Sequence, residues 1–376
     1  MANSDNPNGQ RIAYWYRAAT KAYTMLPYYL ARGGHAFPPI HYYFEMTRRC
    51  NLRCAMCQYI EWLRKTPVSD QKEGELTTAE WERVIDEVQR LSLITFTGGE
   101  PLLREDFPNL LERAGQRART HFITNGLLLD DDRVERVVSL APKRVGGLGL
   151  NFIGTSLEGP PEIHDAIRGL RGAFERSTEA IRRVAETRRR AHKACPMVHV
   201  TSVIQAGNAA HLHEMPRIVK QAGADVLNLT LEIRIFEIPG LGAHSPADER
   251  PENVPYPRIP PEQLAEALRK TREAAAREGV ELRTPDMPDS AIVDYYSGRM
   301  PLGDFRCGSL WCNLIVGAKG DIHPCWLLRL GNVRETSLRA IWNGSDMRAF
   351  RRRTRSGLYP ACAGCCFLVY RGGKRA

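Results

Sequence analysis

Apolar and polar positions along this chain alternate between two spacings. Short apolar runs of strand length occur at 40–46, 93–97, 119–124, 148–156, 197–204 and 225–231. Between and after them, apolar positions recur three and four residues apart, at 78–90, 106–118, 130–140, 173–190, 209–222 and 261–279. The first pattern predicts strands and the second predicts amphipathic helices. Six strand–helix units in succession predict a parallel sheet curled toward a barrel. Functional residues are then expected at the C-terminal ends of the strands. Thr77 or Thr78, followed by Glu80–Glu82, supplies a capping-type start to the first of these helices.

The flanks differ. Residues 11–38 carry Tyr14, Trp15, Tyr16, Tyr23, Leu26, Tyr29 and Leu30 at helical spacing, which predicts one or two helices packed on the main body and ending at Gly33-Gly34. Residues 236–260 are rich in proline and glycine and predict a long loop, lid or linker. Beyond residue 300, Asn313-Leu-Ile-Val and Ile322-His-Pro-Cys flank a glycine turn and predict a hairpin, with helices near 338–342 and 347–353. The expected division is 1–38, a helical extension; 39–235, the barrel; 236–299, a loop and connecting helix; and 300–376, a small cysteine-rich unit.

Composition is ordinary for a globular protein, at 43% hydrophobic and 26% charged over 376 residues. No apolar run reaches the roughly 20 residues of a membrane span. Met1–Gln10 has no apolar core of the kind a signal peptide requires, so a cytoplasmic location, away from membranes, is the expectation. The net charge of +10 invites a nucleic-acid reading. The arginines are spread along the chain, however, and the runs at 182–190 and 351–355 read as solvated helix faces, so no nucleic-acid partner is expected.

Nine of the ten cysteines fall in two groups, 50/54/57 and 307/312/325/362/365/366, with Cys195 apart. Close gaps in a chain with no sign of secretion read as metal sites rather than disulfides. Cys50-x3-Cys54-x2-Cys57 directly follows a strand, and three thiolates on one loop can grip one iron–sulfur cluster. A four-iron cubane held by three ligands leaves one iron open, as catalytic metal sites keep a position open.

That triad resembles the signature of radical S-adenosylmethionine (SAM) enzymes. The likeness extends in order through Thr97-Gly-Gly-Glu-Pro101, Thr124-Asn-Gly126, Ser156-Leu-Glu-Gly159 and His164-Asp-Ala-Ile-Arg-Gly169. It implies a partial (β/α)6 TIM-type barrel, a SAM-binding 4Fe–4S cluster on Cys50, Cys54 and Cys57, and SAM itself chelating the open iron. It further implies that Gly98, Gly99 and Glu100 contact the methionine amino group, that Ser156 reaches the ribose or methionine end, that Arg168 pairs with the methionine carboxylate, and that Asn125 lies in the cofactor site. Each has a plainer reading: a tight turn for Gly98-Gly99, a helix cap for Ser156, an αL turn for Asn125, a surface pair for Glu158 and Arg168. Met56 stands where the family usually has an aromatic residue near adenine.

The C-terminal cysteines resemble the twitch domain, a shortened relative of SPASM, and so imply a small α+β auxiliary-cluster domain. One auxiliary 4Fe–4S cluster on Cys307, Cys325, Cys362 and Cys365 is the expected arrangement, with Cys312 a possible substitute ligand. Zinc on the same thiols is the alternative. Cys312 and Cys366 are also candidate hydrogen-atom donors, or simply buried small residues.

The resemblance implies an oxidoreductase or epimerase in which a 5′-deoxyadenosyl radical takes a hydrogen atom from a small molecule, a sugar or aminocyclitol being favoured. A flavodoxin or ferredoxin would supply electrons. The alternative is cross-linking, thioether formation or epimerisation of a ribosomally made peptide. The roughly 40 residues before the first strand are too few for a separate peptide-recognition module, which weighs against it. A non-catalytic electron carrier would leave Gly98-Gly99-Glu100 unexplained.

Overall fold

The computed structural model describes residues 7–233, 258–326 and 328–372. Most of the proline- and glycine-rich stretch at 236–260 lies outside the described residues. A long helix, α1 (Pro7–Leu30), precedes the first strand, β1 (His41–Thr47). Then follow α2 (Ile60–Lys65), α3 (Thr78–Asp86), β2 (Leu93–Gly98), α4 (Phe107–Gly115), β3 (Arg119–Thr124), α5 (Asp131–Ser139) and β4 (Gly149–Ser156). The next are α6 (Pro161–Arg168), α7 (Ala173–Arg190), β5 (Met197–Ile204), α8 (Met215–Ala222), β6 (Val226–Leu231), α9 (Pro261–Glu278) and β7 (Glu281–Arg283). The C-terminal part holds α10 (Asp289–Tyr296), β8 (Phe305–Cys307), β9 (Asn313–Val316), β10 (Asp321–His323), β11 (Gly331–Asn332), α11 (Leu338–Trp342), α12 (Ser345–Ser356) and β12 (Leu368–Tyr370).

Strands β1 to β7 pair in parallel, in chain order, as a partial barrel. The six expected strands are present, and β7 adds a seventh parallel strand that its three residues are too few to announce. On the other edge the C-terminal hairpin joins the same sheet. β9 runs parallel to β1, with His41 opposite Asn313 and Phe44 opposite Val316, while β10 and β11 follow antiparallel. Gly320, at φ +89°, makes the hairpin turn, where a side chain would be strained. A second sheet, β8 with β12, sets Leu368 opposite Cys307.

Helices cover one face of the strands. Phe44, Phe96 and Phe122 point to that face and interlock with Trp81 of α3 and Phe107 of α4 in tilted and edge-on pairs 5.4–5.9 Å apart. Alternation puts His41, Tyr43 and Glu45 of β1 on the opposite, concave face. Thr77 closes the predicted capping box with Glu80 at the start of α3.

The reading of residues 351–355 as a solvated run holds for Arg352 and Arg353, which are exposed, and is corrected for Arg351. Arg351 is fully buried, donates to the carbonyls of Leu310 and Gly34 and to Asn343 Oδ1, and lies 4.2 Å from the Trp342 ring centroid. Arg352 donates to Gly33 O, and Arg355 to Tyr28 O and Ala31 O. Arg355 thus satisfies an open carbonyl in the last turn of α1, and Arg351 and Arg352 satisfy carbonyls of the turn that follows it, so part of the surplus charge joins this N-terminal segment to the C-terminal unit. Among the described residues no helix is long and apolar enough to cross a membrane.

Candidate functional site

The loop after β1 presents Cys50, Cys54 and Cys57. Leu52 N–H and Tyr59 N–H point at the sulfurs of Cys50 and Cys57, each at 3.4 Å. Arg53 ties the loop to itself through the carbonyls of Cys50 and Leu52, both at 2.9 Å. Beneath it, Glu75 accepts from Thr47 Oγ1 and pairs with Arg49 at 3.2 Å and Arg104 at 3.6 Å. Burial pushes the Cys50 thiol up to about 11 and raises Cys57 as well. Such thiols ionise only when a strong positive centre compensates, which is what bound iron provides.

Gly98 and Gly99 sit against this loop. A β-carbon on Gly98 would collide with Thr47 O, and one on Gly99 with the carbonyls of Arg48 and Arg49. Gly99 N–H and Glu100 N–H donate to Thr47 O and Arg49 O at 2.7 and 2.8 Å. The missing side chains therefore serve first to bring β2 against the cysteine loop. Glu100 is buried, and its carboxylate accepts from Leu102 N, Thr124 Oγ1 and Asn125 N at 3.1, 2.9 and 2.8 Å. Burial lifts it to about 7 against these hydrogen bonds. Its side chain clamps the end of β2 to the end of β3. Asn125 Nδ2 donates to Asn51 Oδ1 at 2.7 Å, joining the β3 turn to the cysteine loop.

Ser156 ends β4 half-buried and makes no side-chain hydrogen bond among the described residues, so its hydroxyl is available to a ligand. Arg168, at the end of α6, is held by Glu158 and directs Nη1 at Cys54 Sγ, 3.5 Å away. Glu158 and Arg168 are both buried, which rules out the surface pair. Gly98, Gly99, Glu100, Asn125 and Arg168 thus all gather on the cysteine loop.

Sequence reasoning passed over Tyr59 as a support of the site and named His164 only as part of a motif, without this role. Tyr59, two residues after Cys57, hydrogen-bonds buried Glu45 of β1. His164 accepts Glu158 N–H at Nδ1, 3.1 Å away. A carboxylate among apolar strand residues, and a histidine in an apolar helix stripe, were the available signals.

His164 carries a prediction. Burial, reinforced by Arg168, pulls its pKa from 6.5 down to about 3. Its stabilising contribution is therefore complete above the ordinary imidazole value and is lost as pH falls toward the folded value, at ~1.4 kcal/mol per pH unit. Denaturant titrations of the metal-free protein between about pH 7 and pH 5 should show His164→Gln less acid-sensitive by close to one proton.

The second cysteine group also converges. Pairing of β12 with β8 carries 365–368 to Cys307. The Cys307 thiol, pushed up to about 12 by burial, feels Cys365 and Cys362, and the Cys312 thiol feels Cys307. Cys325 and Cys362 both pack against Tyr359. Cys365 hydrogen-bonds Cys366, raising its own pKa and lowering its partner's. Cys366 is exposed, whereas Cys312 directs its thiol to Asn313 Oδ1 at 3.2 Å. Among the described residues no three His, Cys, Asp or Glu side chains close on one point as a single ion would require.

Between the two groups lies the concave face. Tyr43 stacks on His41 at 4.1 Å and meets Phe367, and its hydroxyl feels Cys366, Cys312 and Cys365. His41 and His121 share Thr95 Oγ1 at 2.8 and 3.1 Å, and Phe152 packs between His121 and His199.

Comparison with known proteins matches residues 44–202 to the radical SAM superfamily and residues 307–366 to SPASM, an iron–sulfur cluster-binding domain. The PqqA peptide cyclase of Granulibacter bethesdensis is 29% identical over 341 residues, 87% of this chain and 80% of that protein. The AdoMet-dependent heme synthase of Oleidesulfovibrio alaskensis is 27% identical over 350 residues, 89% and 81% of the two chains. Among solved structures, Streptococcus suis SuiB bound to the precursor peptide SuiA superposes with a TM-score of 0.61 at 14% identity, covering 94% of this chain and 73% of SuiB.

Proposed function

Because this chain belongs to the radical SAM superfamily and carries a SPASM iron–sulfur domain, we propose that it modifies a ribosomally made peptide by cross-linking, thioether formation or epimerisation. It is an enzyme whose cofactors are a 4Fe–4S cluster, SAM and an auxiliary iron–sulfur cluster. The observation that carries the peptide reading is the likeness to a peptide cyclase along 87% of the chain. It outweighs the sugar or aminocyclitol substrate that the family resemblance favoured.

Cys50, Cys54 and Cys57 hold the first cluster, and Ser156 and the Gly98–Glu100 segment position SAM beside it. When bound, the cluster and SAM supply a 5′-deoxyadenosyl radical that removes a hydrogen atom from the substrate. Cys307, Cys325, Cys362 and Cys365 hold the auxiliary cluster, with Cys312 a possible substitute. The concave face with His41, Tyr43, His121, Phe152 and His199 offers ring surfaces and uncharged hydrogen-bonding groups to the peptide segment. Forming a new bond within the peptide removes two hydrogens. One would leave as an atom and the other as a proton and an electron, for which an auxiliary cluster held by the C-terminal cysteines would be the acceptor. In epimerisation the peptide's mass is unchanged: Cys366, exposed beside Tyr43, would return a hydrogen atom and be left as a thiyl radical, which one electron from the external reductant and a proton would restore to the thiol.

The test is anaerobic turnover of the reconstituted enzyme with SAM, a strong reductant and the peptides encoded beside its gene. Loss of two hydrogens, or inversion of one residue at unchanged mass, supports the reading. Conversion of small molecules alone, with every peptide intact, overturns it.

A further inference from the structure

The three thiols of the cysteine loop are served differently. Cys50 and Cys57 each receive the backbone N–H of the residue two positions on, from Leu52 and Tyr59, both at 3.4 Å. The turn gives Cys54 no such donor. Instead it receives Nη1 of Arg168 at 3.5 Å, from a helix more than a hundred residues away in sequence. We infer that Arg168 is a positioning residue that hydrogen-bonds the Cys54 thiolate and sets the reduction potential of the SAM cluster, and that Glu158 fixes and partly offsets its charge.

The surroundings are built for this contact. Ala55 N–H donates to Ile167 O at 3.0 Å, docking the last turn of α6 on the loop. Gly169 ends the helix at φ +69°, where a β-carbon would press on Arg53 O. Cys54 is 7% and Arg168 8% exposed, so solvent screens their interaction little. Glu158 is fully buried and grips Nη2 of Arg168 with one carboxylate oxygen. Its other oxygen accepts Val203 N–H at 2.9 Å, anchoring the pair to β5. The pair is a fixed dipole with its positive end at the sulfur. Arg53, another cation by the loop, directs Nη1 at the carbonyls of Cys50 and Leu52.

Reduction adds an electron to a centre already bearing three thiolates. A guanidinium at one sulfur favours the reduced form, and a carboxylate behind it opposes. The two members of the pair must therefore act in opposite directions. A purely structural ion pair has no such signature, since loss of either member would disturb the loop alike.

The experiment is a redox titration of the reconstituted protein followed by electron paramagnetic resonance, without SAM or peptide. Auxiliary cysteines are replaced by alanine so that only the first cluster reports. Arg168→Gln should shift the midpoint negative, Glu158→Gln should shift it positive, and Arg168→Lys should fall between wild type and Arg168→Gln. SAM affinity, measured separately by equilibrium binding, tests the methionine-carboxylate role suggested by resemblance. An unchanged midpoint in Arg168→Gln, or shifts of the same sign in Arg168→Gln and Glu158→Gln, overturns the inference. If Arg168→Gln does not load iron, the sign of the Glu158→Gln shift decides. None of these outcomes depends on the substrate being a peptide.

Discussion

Replacing Cys54 by alanine abolishes reductive cleavage of SAM, and replacing Cys50, Cys54 and Cys57 together also lowers bound iron from about eight to about four per chain. The effect is expected to be complete because a cubane held by two thiolates has neither the charge nor the geometry to keep one iron reserved for SAM. The three cysteines lie within eight consecutive residues that fold as one turn, with Cys57 N–H donating to Cys54 O at 3.1 Å and Ile60 N–H to Cys57 O at 3.0 Å. No remote thiol can substitute, since β1 separates this loop from the second group, which meets the other end of that strand where Cys312 O accepts Ile40 and His41 N–H. Anaerobic iron and sulfide assays with quantitation of 5′-deoxyadenosine check both parts. Cleavage at the wild-type rate in Cys54→Ala would place the reactive cluster elsewhere.

Much of the frame was legible because its signals are local. Strand boundaries followed the short apolar runs, and the Thr77–Glu80 box marked α3 within one residue. Three kinds of feature were not legible. Short elements such as α2 and β7 carry too few residues for a period to emerge. Pairing of β9 with β1, which welds the C-terminal hairpin to the barrel, joins residues about 270 positions apart and leaves no local trace. Side-chain direction was the third. Glu100 spends its carboxylate inside the β2–β3 clamp, and Arg168 turns to Glu158 and to Cys54 of the cysteine loop, side-chain partners that the motifs do not name. A motif fixes which residue occupies a strand end but not which of several nearby partners it takes. Buried Arg351 makes the same point, since a run of arginines reads as solvated until the distant carbonyls of Gly34 and Leu310 are placed beside it.

Replacing Cys362 or Cys365 by alanine should leave 5′-deoxyadenosine formation largely intact while peptide product falls to background. The two functions separate because the two cysteine groups sit at opposite ends of β1. The loop at its C-terminal end has its own supports in Glu75, Arg104 and Glu100, none of which contacts the second group. Cys362 and Cys365 are held instead by the turn that follows Tyr359 and by the β8–β12 pair. Without them the hydrogen atom is still removed, but the electron left on the peptide has no acceptor, and the radical is quenched. Deuterium in the solvent should then appear in recovered, unmodified peptide. Cys366→Ala divides the outcomes further: a cross-linking enzyme keeps its product, whereas an epimerase makes 5′-deoxyadenosine with little inverted residue. If Cys362→Ala and Cys365→Ala still convert peptide at the wild-type ratio of product to 5′-deoxyadenosine, the second cluster is structural and the electron leaves by another route.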